Sequence, residues 1–151
     1  MIAYQVTVPT QNTPGKLAEV SGILAREKIN IRAITISSFG EHGFFNILVD
    51  DPKLAKKILN KEGIRADLAE VLAVLLDDKP GGMNNLVQLL AAKGINIENA
   101  YGFVLESNKT AVFVINVSDL TETQKILKEH EFKTISAEAL ATIEPFHYLK
   151  Y

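Results

Sequence analysis

The sequence predicts an α+β fold built twice in succession, and three observations lead there. Pro14-Gly15 recurs as Pro80-Gly81, Leu24-Ala25 as Leu90-Ala91 and Ile29-Asn30-Ile31 as Ile95-Asn96-Ile97, each 66 positions on. Lys57-Ile58-Leu59 returns as Lys125-Ile126-Leu127 and Asp51 as Asp119 at a shift of 68, so two residues were gained between the anchors, near Glu41 or Asn108. A shift that is constant within each stretch and changes once, at a turn, marks an internal duplication. Within each copy, stretches of period two alternate with stretches of period 3.6 in the order βαββαβ.

The first strand is expected at about residues 3 to 9, where Tyr4, Val6 and Val8 alternate with Ala3, Gln5 and Thr7. Pro14 and Gly15 end that pattern, and Leu17, Val20, Ile23 and Leu24 follow at helical spacing, with Asn12 or Thr13 available as N-cap. A helix over about 14 to 28 results. Ile31, Ile34, Ile36 and Phe39, then Phe44 to Val49 beyond a turn at Gly40 to Gly43, read as a hairpin. Asp51-Pro52 opens a second helix whose face is Leu54, Ala55, Ile58 and Leu59, and Gly63 closes it. From Ile64 to Leu76 there is no Gly, Pro or Ser, so the last strand of copy one is expected to run into the first of copy two without a flexible linker. Copy two repeats the scheme: a strand over 71 to 76, a helix over 81 to 93, strands near 97 to 105 and 110 to 117, a helix over 120 to 130 and a short strand near 132 to 135. Two helices can cover only one face of four strands, so each copy predicts a ferredoxin-like antiparallel sheet. Joined side by side, the two copies would give an eight-stranded sheet with helices on one face. The expected domains are 1 to 69 and 70 to 139, followed by a tail over 140 to 151.

Composition narrows the function. The chain of 151 residues is 47% hydrophobic and 23% charged, enough for two small cores. A net charge of -2 with three arginines (Arg26, Arg32, Arg65) offers no basic surface for a phosphate backbone, which argues against nucleic acid. With no cysteine there is no disulfide, thiolate metal site or cysteine nucleophile, a composition compatible with the cytoplasm. Residues 1 to 8 alternate like a strand and carry no basic segment or long apolar run, so they are read as structure and not as a signal. The histidines His42, His130 and His147 have no metal-site spacing, and no phosphate-binding loop, dinucleotide fingerprint or nucleophile elbow occurs. The expectation is a non-enzyme without cofactor or metal, with His130 a dipole partner at a helix end. The tail from Glu144 to Tyr151, which holds two of the four tyrosines, is read either as packing back on the fold or as clasping a partner.

The βαββαβ order, the Pro-Gly turn opening helix one and the Ile-Asn-Ile turn after it together resemble the ACT domain, once over residues 3 to 69 and again over 70 to 139. Asp77-Asp78-Lys79-Pro80-Gly81-Gly82 followed by Lys93-Gly94-Ile95-Asn96-Ile97 is similar to the family's most recognisable stretch. In copy one Lys28 stands in place of the glycine before Ile29. The resemblance implies a stand-alone tandem regulatory protein, a homodimer that binds an amino acid at the junction between ACT units and acts on a regulated enzyme partner. It also implies ligand contacts two residues before the proline, at Asn12 and Asp78, and at the asparagine after helix one, Asn30 and Asn96.

The residues themselves give such a site a chemistry. The turns Pro14-Gly15 and Lys79-Pro80-Gly81-Gly82-Met83 present free N-H groups and the positive end of a helix dipole to a ligand carboxylate. Asn12, Asp78, Asn30, Asn96 and Asn99 supply acceptors for an α-ammonium group. Leu17, Met83, Ile34 and Ala100 are the expected determinants of side-chain specificity. Each feature also has a plainer reading, since Pro-Gly starts many helices and asparagines cap turns. The competing function is an assembly module that docks to a partner without a small molecule; an enzyme with a site made of scattered residues ranks last.

Overall fold

The fold is that of a computed structural model, which describes residues 1–11, 13–136, 139 and 140. Asn12 and the tail beyond Leu140, for which packing or clasping was expected, lie outside the described residues. Among the described residues, four helices and seven strands follow in the order β1 (Ala3–Gln11), α1 (Lys16–Arg26), β2 (Ile31–Phe39), β3 (His42–Val49), α2 (Pro52–Lys61), β4 (Asp67–Asp77), α3 (Gly82–Ala92), β5 (Ile97–Glu106), β6 (Thr110–Val117), α4 (Leu120–Glu129) and β7 (Thr134–Ile135). The described strands number seven and not eight because the stretch without punctuation forms one continuous strand, β4, in place of the last strand of copy one and the first of copy two. The chain divides into two compact units, Tyr4–Glu70 and a second made of Met1–Ala3 with the chain from Val71 onward.

In the first unit the strands lie in the order β2-β3-β1, all antiparallel, with Val6 opposite Ile47, Val8 opposite Phe45, and Ile36 on the far side of Phe45. Alternation sends Val6, Val8, Phe45, Ile47 and Val49 to one face, where Val20, Ile23 and Leu24 of α1 and Ala55 and Leu59 of α2 close over them. The opposite face is polar at its centre. Asn46 Oδ1 accepts hydrogen bonds from Thr7 Oγ1 at 3.0 Å and Gln5 Nε2 at 3.4 Å, and both Gln5 and Asn46 are buried.

The second unit has the complete ferredoxin-like order β7-β4-β6-β5. Its core joins Leu72, Val74, Leu76 and Ile115 of the sheet to Leu86 and Leu90 of α3 and Ile126 and Leu127 of α4. At the positions of Gln5, Thr7 and Asn46 it carries Val71, Ala73 and Val114, all buried, so the duplication has exchanged a polar face for an apolar one. The two extra residues of this copy fall in the β5–β6 hairpin, where Asn108 adopts φ 62°.

The duplicated turns keep their backbone even where the residue changed. Lys28 (φ 59°) and Gly94 (φ 71°) occupy equivalent left-handed positions, as do Gly63 (φ 82°) and Glu131 (φ 61°). The second helix of each copy is capped as its sequence suggests: Asp51 Oδ1 accepts from the Leu54 N–H at 3.1 Å, and Asp119 Oδ1 from the Glu122 N–H at 3.0 Å. The first helix differs from expectation. Its N-cap is Gly15 with no side-chain hydrogen bond, and Pro14 precedes the helix instead of opening it. A glycine with φ 87° reverses the chain sharply enough that Thr13 contributes its carbonyl, to the Lys16 N–H, and not its hydroxyl.

Candidate functional site

The turn between β4 and α3 borders a cleft of about 260 Å³ inside the second unit. One end is Asp77, Asp78 and Lys79; one wall is Met83 on α3; the floor is Gly102 to Val104 of β5 with Ala111 to Phe113 of β6. These elements meet because β5 and β6 run antiparallel to a hairpin lying level with the end of β4, with Asp77 opposite Thr110 and Gly102 opposite Phe113.

At the turn, Gly81 (φ 88°) caps α3, and the Asp78 N–H donates to the Lys109 carbonyl at 3.0 Å. The Gly82 and Asn85 amides donate to the Lys79 and Gly81 carbonyls, while the Met83 and Asn84 amides have no acceptor among the described residues. They are the free donors of a helix start, with the positive end of its dipole behind them. Asp78 is half-buried; its Oδ2 accepts from the Asn108 N–H at 2.7 Å, and its Oδ1 has no partner among the described residues. Lys79 Nζ is 3.6 Å from Asp77 Oδ2 in an exposed pair. The site thus offers amide donors and one carboxylate oxygen above an apolar floor.

The structure sorts the predicted residues. Asp78, Lys79, Pro80, Gly81, Gly82 and Met83 come together at this turn, as Pro14 and Gly15 do at the equivalent turn of the first unit. Asn96 and Asn99 do not reach it within the second unit. They lie beyond the other end of α3, a helix of 11 residues and so about 16 Å long, where the Asn96 carbonyl accepts from the Ser118 N–H at 3.3 Å. Asn30 is at the same end of the first unit, its N–H bonded to Asp50 Oδ1 at 3.1 Å. Gly82 serves packing: a β-carbon there would overlap the Asp77 carbonyl oxygen, so the glycine is what lets α3 approach β4. Gly102, Val104 and Phe113 are cleft residues that the sequence reading did not name. The pairing of Gly102 with Phe113 follows from hairpin register, and the signal available was the glycine interrupting an apolar strand.

Elsewhere, His130 caps α4 with Nδ1 2.9 Å from the Ile126 carbonyl oxygen, the helix-end role expected of it. No group of three His, Asp or Glu side chains able to hold a metal occurs among the described residues. No described helix is long and apolar enough to cross a membrane.

A βαββαβ unit made twice, each with a glycine-capped start to its first helix, is the architecture of a paired ferredoxin-like module. The chain belongs to the ACT domain pair family, whose model matches residues 1–144. ACT domains are regulatory and non-catalytic. The chain is similar to protein BT0572 from Bacteroides thetaiotaomicron, at 30% identity and a TM-score of 0.87, covering 94% of this chain and 97% of that one. It shares its fold with the regulatory subunit of aspartate kinase from Thermus thermophilus (18% identity, TM-score 0.58, 85% and 96% covered). The same holds for that from Thermus flavus (20% identity, TM-score 0.55, 93% and 92% covered). No curated protein matches the chain.

Proposed function

We propose that this protein is an amino-acid-responsive regulator that binds a free amino acid at the turn before α3 and, as a homodimer, passes the bound state to a partner enzyme. The observation that carries this is that Asp78, whose free Oδ1 suits an α-ammonium, and Met83, whose backbone amide at the helix start suits an α-carboxylate, line one cleft. Membership of a family of regulatory modules supports it. The ligand acts by favouring the conformation that holds it, and the partner reads that shift. Asn12, Pro14, Gly15 and Asn30 in the first copy, and Asn96 and Asn99 in the second, remain candidate contacts of further sites.

The test is a thermal-shift screen against the twenty amino acids, followed by calorimetric titration of any hit on wild type and Asp78→Asn. A ligand at about 100 times its Kd stabilises by roughly 2.7 kcal/mol. A selective shift lost in Asp78→Asn is the expected result; a folded protein that none of the twenty shifts would end this reading.

A second reading, an assembly module without a ligand, is favoured by β2. This strand is at the edge of its unit's sheet and exposes Ile36 (53%) and Phe39 (77%). An edge strand with exposed apolar side chains invites pairing with another chain. Light scattering on Ile36→Lys discriminates: loss of an oligomer with the ligand response intact would assign assembly and sensing to separate surfaces.

A further inference from the structure

We infer that the cleft of the second unit takes an amino acid with an apolar side chain, and that Gly102 is the residue that makes room for it. The inference rests on the amino-acid-binding reading above and adds the ligand class and the determinant.

The duplication provides an internal comparison. Gly102 is the repeat equivalent of Ile36, Phe113 of Phe45, and Met83 of Leu17. In the first unit Ile36 lies opposite Phe45, and in the second Gly102 lies opposite Phe113. The strand register and the aromatic partner are therefore kept, while the branched side chain is deleted in one copy only. The deletion opens the floor of the cleft between Met83 and Phe113. A β-carbon at Gly102 would sit 3.1 Å from the Val112 carbonyl oxygen and 3.4 Å from Phe113 Cδ1, so a side chain returns there only if Phe113 or the β6 backbone gives way.

The remaining lining decides the chemistry of what enters. On the face that Gly102 shares, Leu76, Met83, Val104, Ala111 and Phe113 supply hydrocarbon, and the charged groups Asp77, Asp78 and Lys79 stand at one end. A polar side chain laid on this floor would give up water without gaining a partner, whereas an aliphatic one loses nothing. At about 260 Å³ the cleft is below the roughly 300–1,000 Å³ of pockets for drug-sized ligands, a scale suited to one amino acid. The head group meets Asp78 Oδ1 and the Met83 amide, and the side chain runs from there over Gly102.

The experiment is calorimetry on the full chain with L-leucine, L-valine and L-methionine against L-serine, L-aspartate and L-lysine, using wild type, Asp78→Asn, Gly102→Ala and Met83→Ala. Met83 is 53% exposed, so its truncation leaves the fold intact even if Gly102→Ala unfolds. Expected are one apolar ligand per chain, a preference of roughly tenfold or more over the polar probes, and a loss of about tenfold in each variant that folds. Tighter binding of serine, aspartate or lysine, with Asp78→Asn still abolishing it, would overturn the ligand class and leave the parent reading standing. Apolar binding unchanged in Met83→Ala or in folded Gly102→Ala would overturn the location. Binding of none of these six, with no shift by any of the twenty in the thermal screen, would overturn both.

Discussion

Asp78 Oδ2 accepts a hydrogen bond from the backbone N–H of Asn108 at 2.7 Å, fastening the turn before α3 to the tip of the β5–β6 hairpin. Asn108 is one of three described non-glycine residues at positive φ, so the carboxylate holds in place a conformation with a cost of its own. Asp78→Ala should lose about 1 kcal/mol in urea unfolding. Asp78→Asn retains an acceptor oxygen and should lose less while removing the charge. Equal losses in the two variants would show that the bond to Asn108 does not contribute.

Gly82 should tolerate no side chain. The atom that a β-carbon would meet is the Asp77 carbonyl oxygen, part of a strand and unable to rotate away. Gly82→Ala is therefore expected at the upper end of overpacking costs, about 3 kcal/mol. Gly81→Ala, with open space around it but φ 88°, should cost only about 1 kcal/mol. The ranking in chemical denaturation checks the argument, and a Gly82→Ala as mild as Gly81→Ala would refute it.

Lys28 and Glu131 stand at left-handed positions that the other copy fills with glycine. Lys28→Gly and Glu131→Gly should each be neutral or stabilising by up to about 1 kcal/mol, since relief of the β-carbon penalty offsets the greater freedom of the unfolded chain. A clear fall in melting temperature for either would show that the side chain has a role beyond its backbone.

Burial pushes the Tyr101 phenol well above its ordinary value, because the phenolate would lose its water. With the folded pKa raised, the unfolded chain releases this proton first. Stability is intact below about pH 10 and falls as pH climbs from there toward the folded value. Tyr101→Phe should flatten the alkaline limb of a stability profile measured from pH 8 to 11. A limb of unchanged slope would mean that other groups set it.

The sequence made the duplication, the element order and the opening of α2 at Asp51-Pro52 legible, because each rests on local pattern: a repeated spacing, a period, a proline. The merging of two strands into β4 was foreshadowed by the absence of breakers from Ile64 to Leu76. The glycine cap in place of a Thr13 hydroxyl cap was not, because both chemistries start helices and only the backbone angle at Gly15 distinguishes them. Half of the cleft was legible for a similar reason. Its rim is one continuous turn, but its floor at Gly102 and Phe113 depends on which residue of one strand faces which of another, a property of the pair that neither strand states alone.

The hydrogen bonds of Gln5 and Thr7 to Asn46 carry a consequence for how the chain finds its fold. If β1 slid two residues along β3, every side chain would keep its face, and hydrophobic burial would barely object. A slip that brings Pro9 opposite Asn46 would, however, draw Thr7 and Gln5 away and leave its buried amide without those donors, a penalty of about 1–3 kcal/mol. The first copy thereby proofreads its own strand pairing. The second, with Val71, Ala73 and Val114 at these positions, has no polar check of this kind.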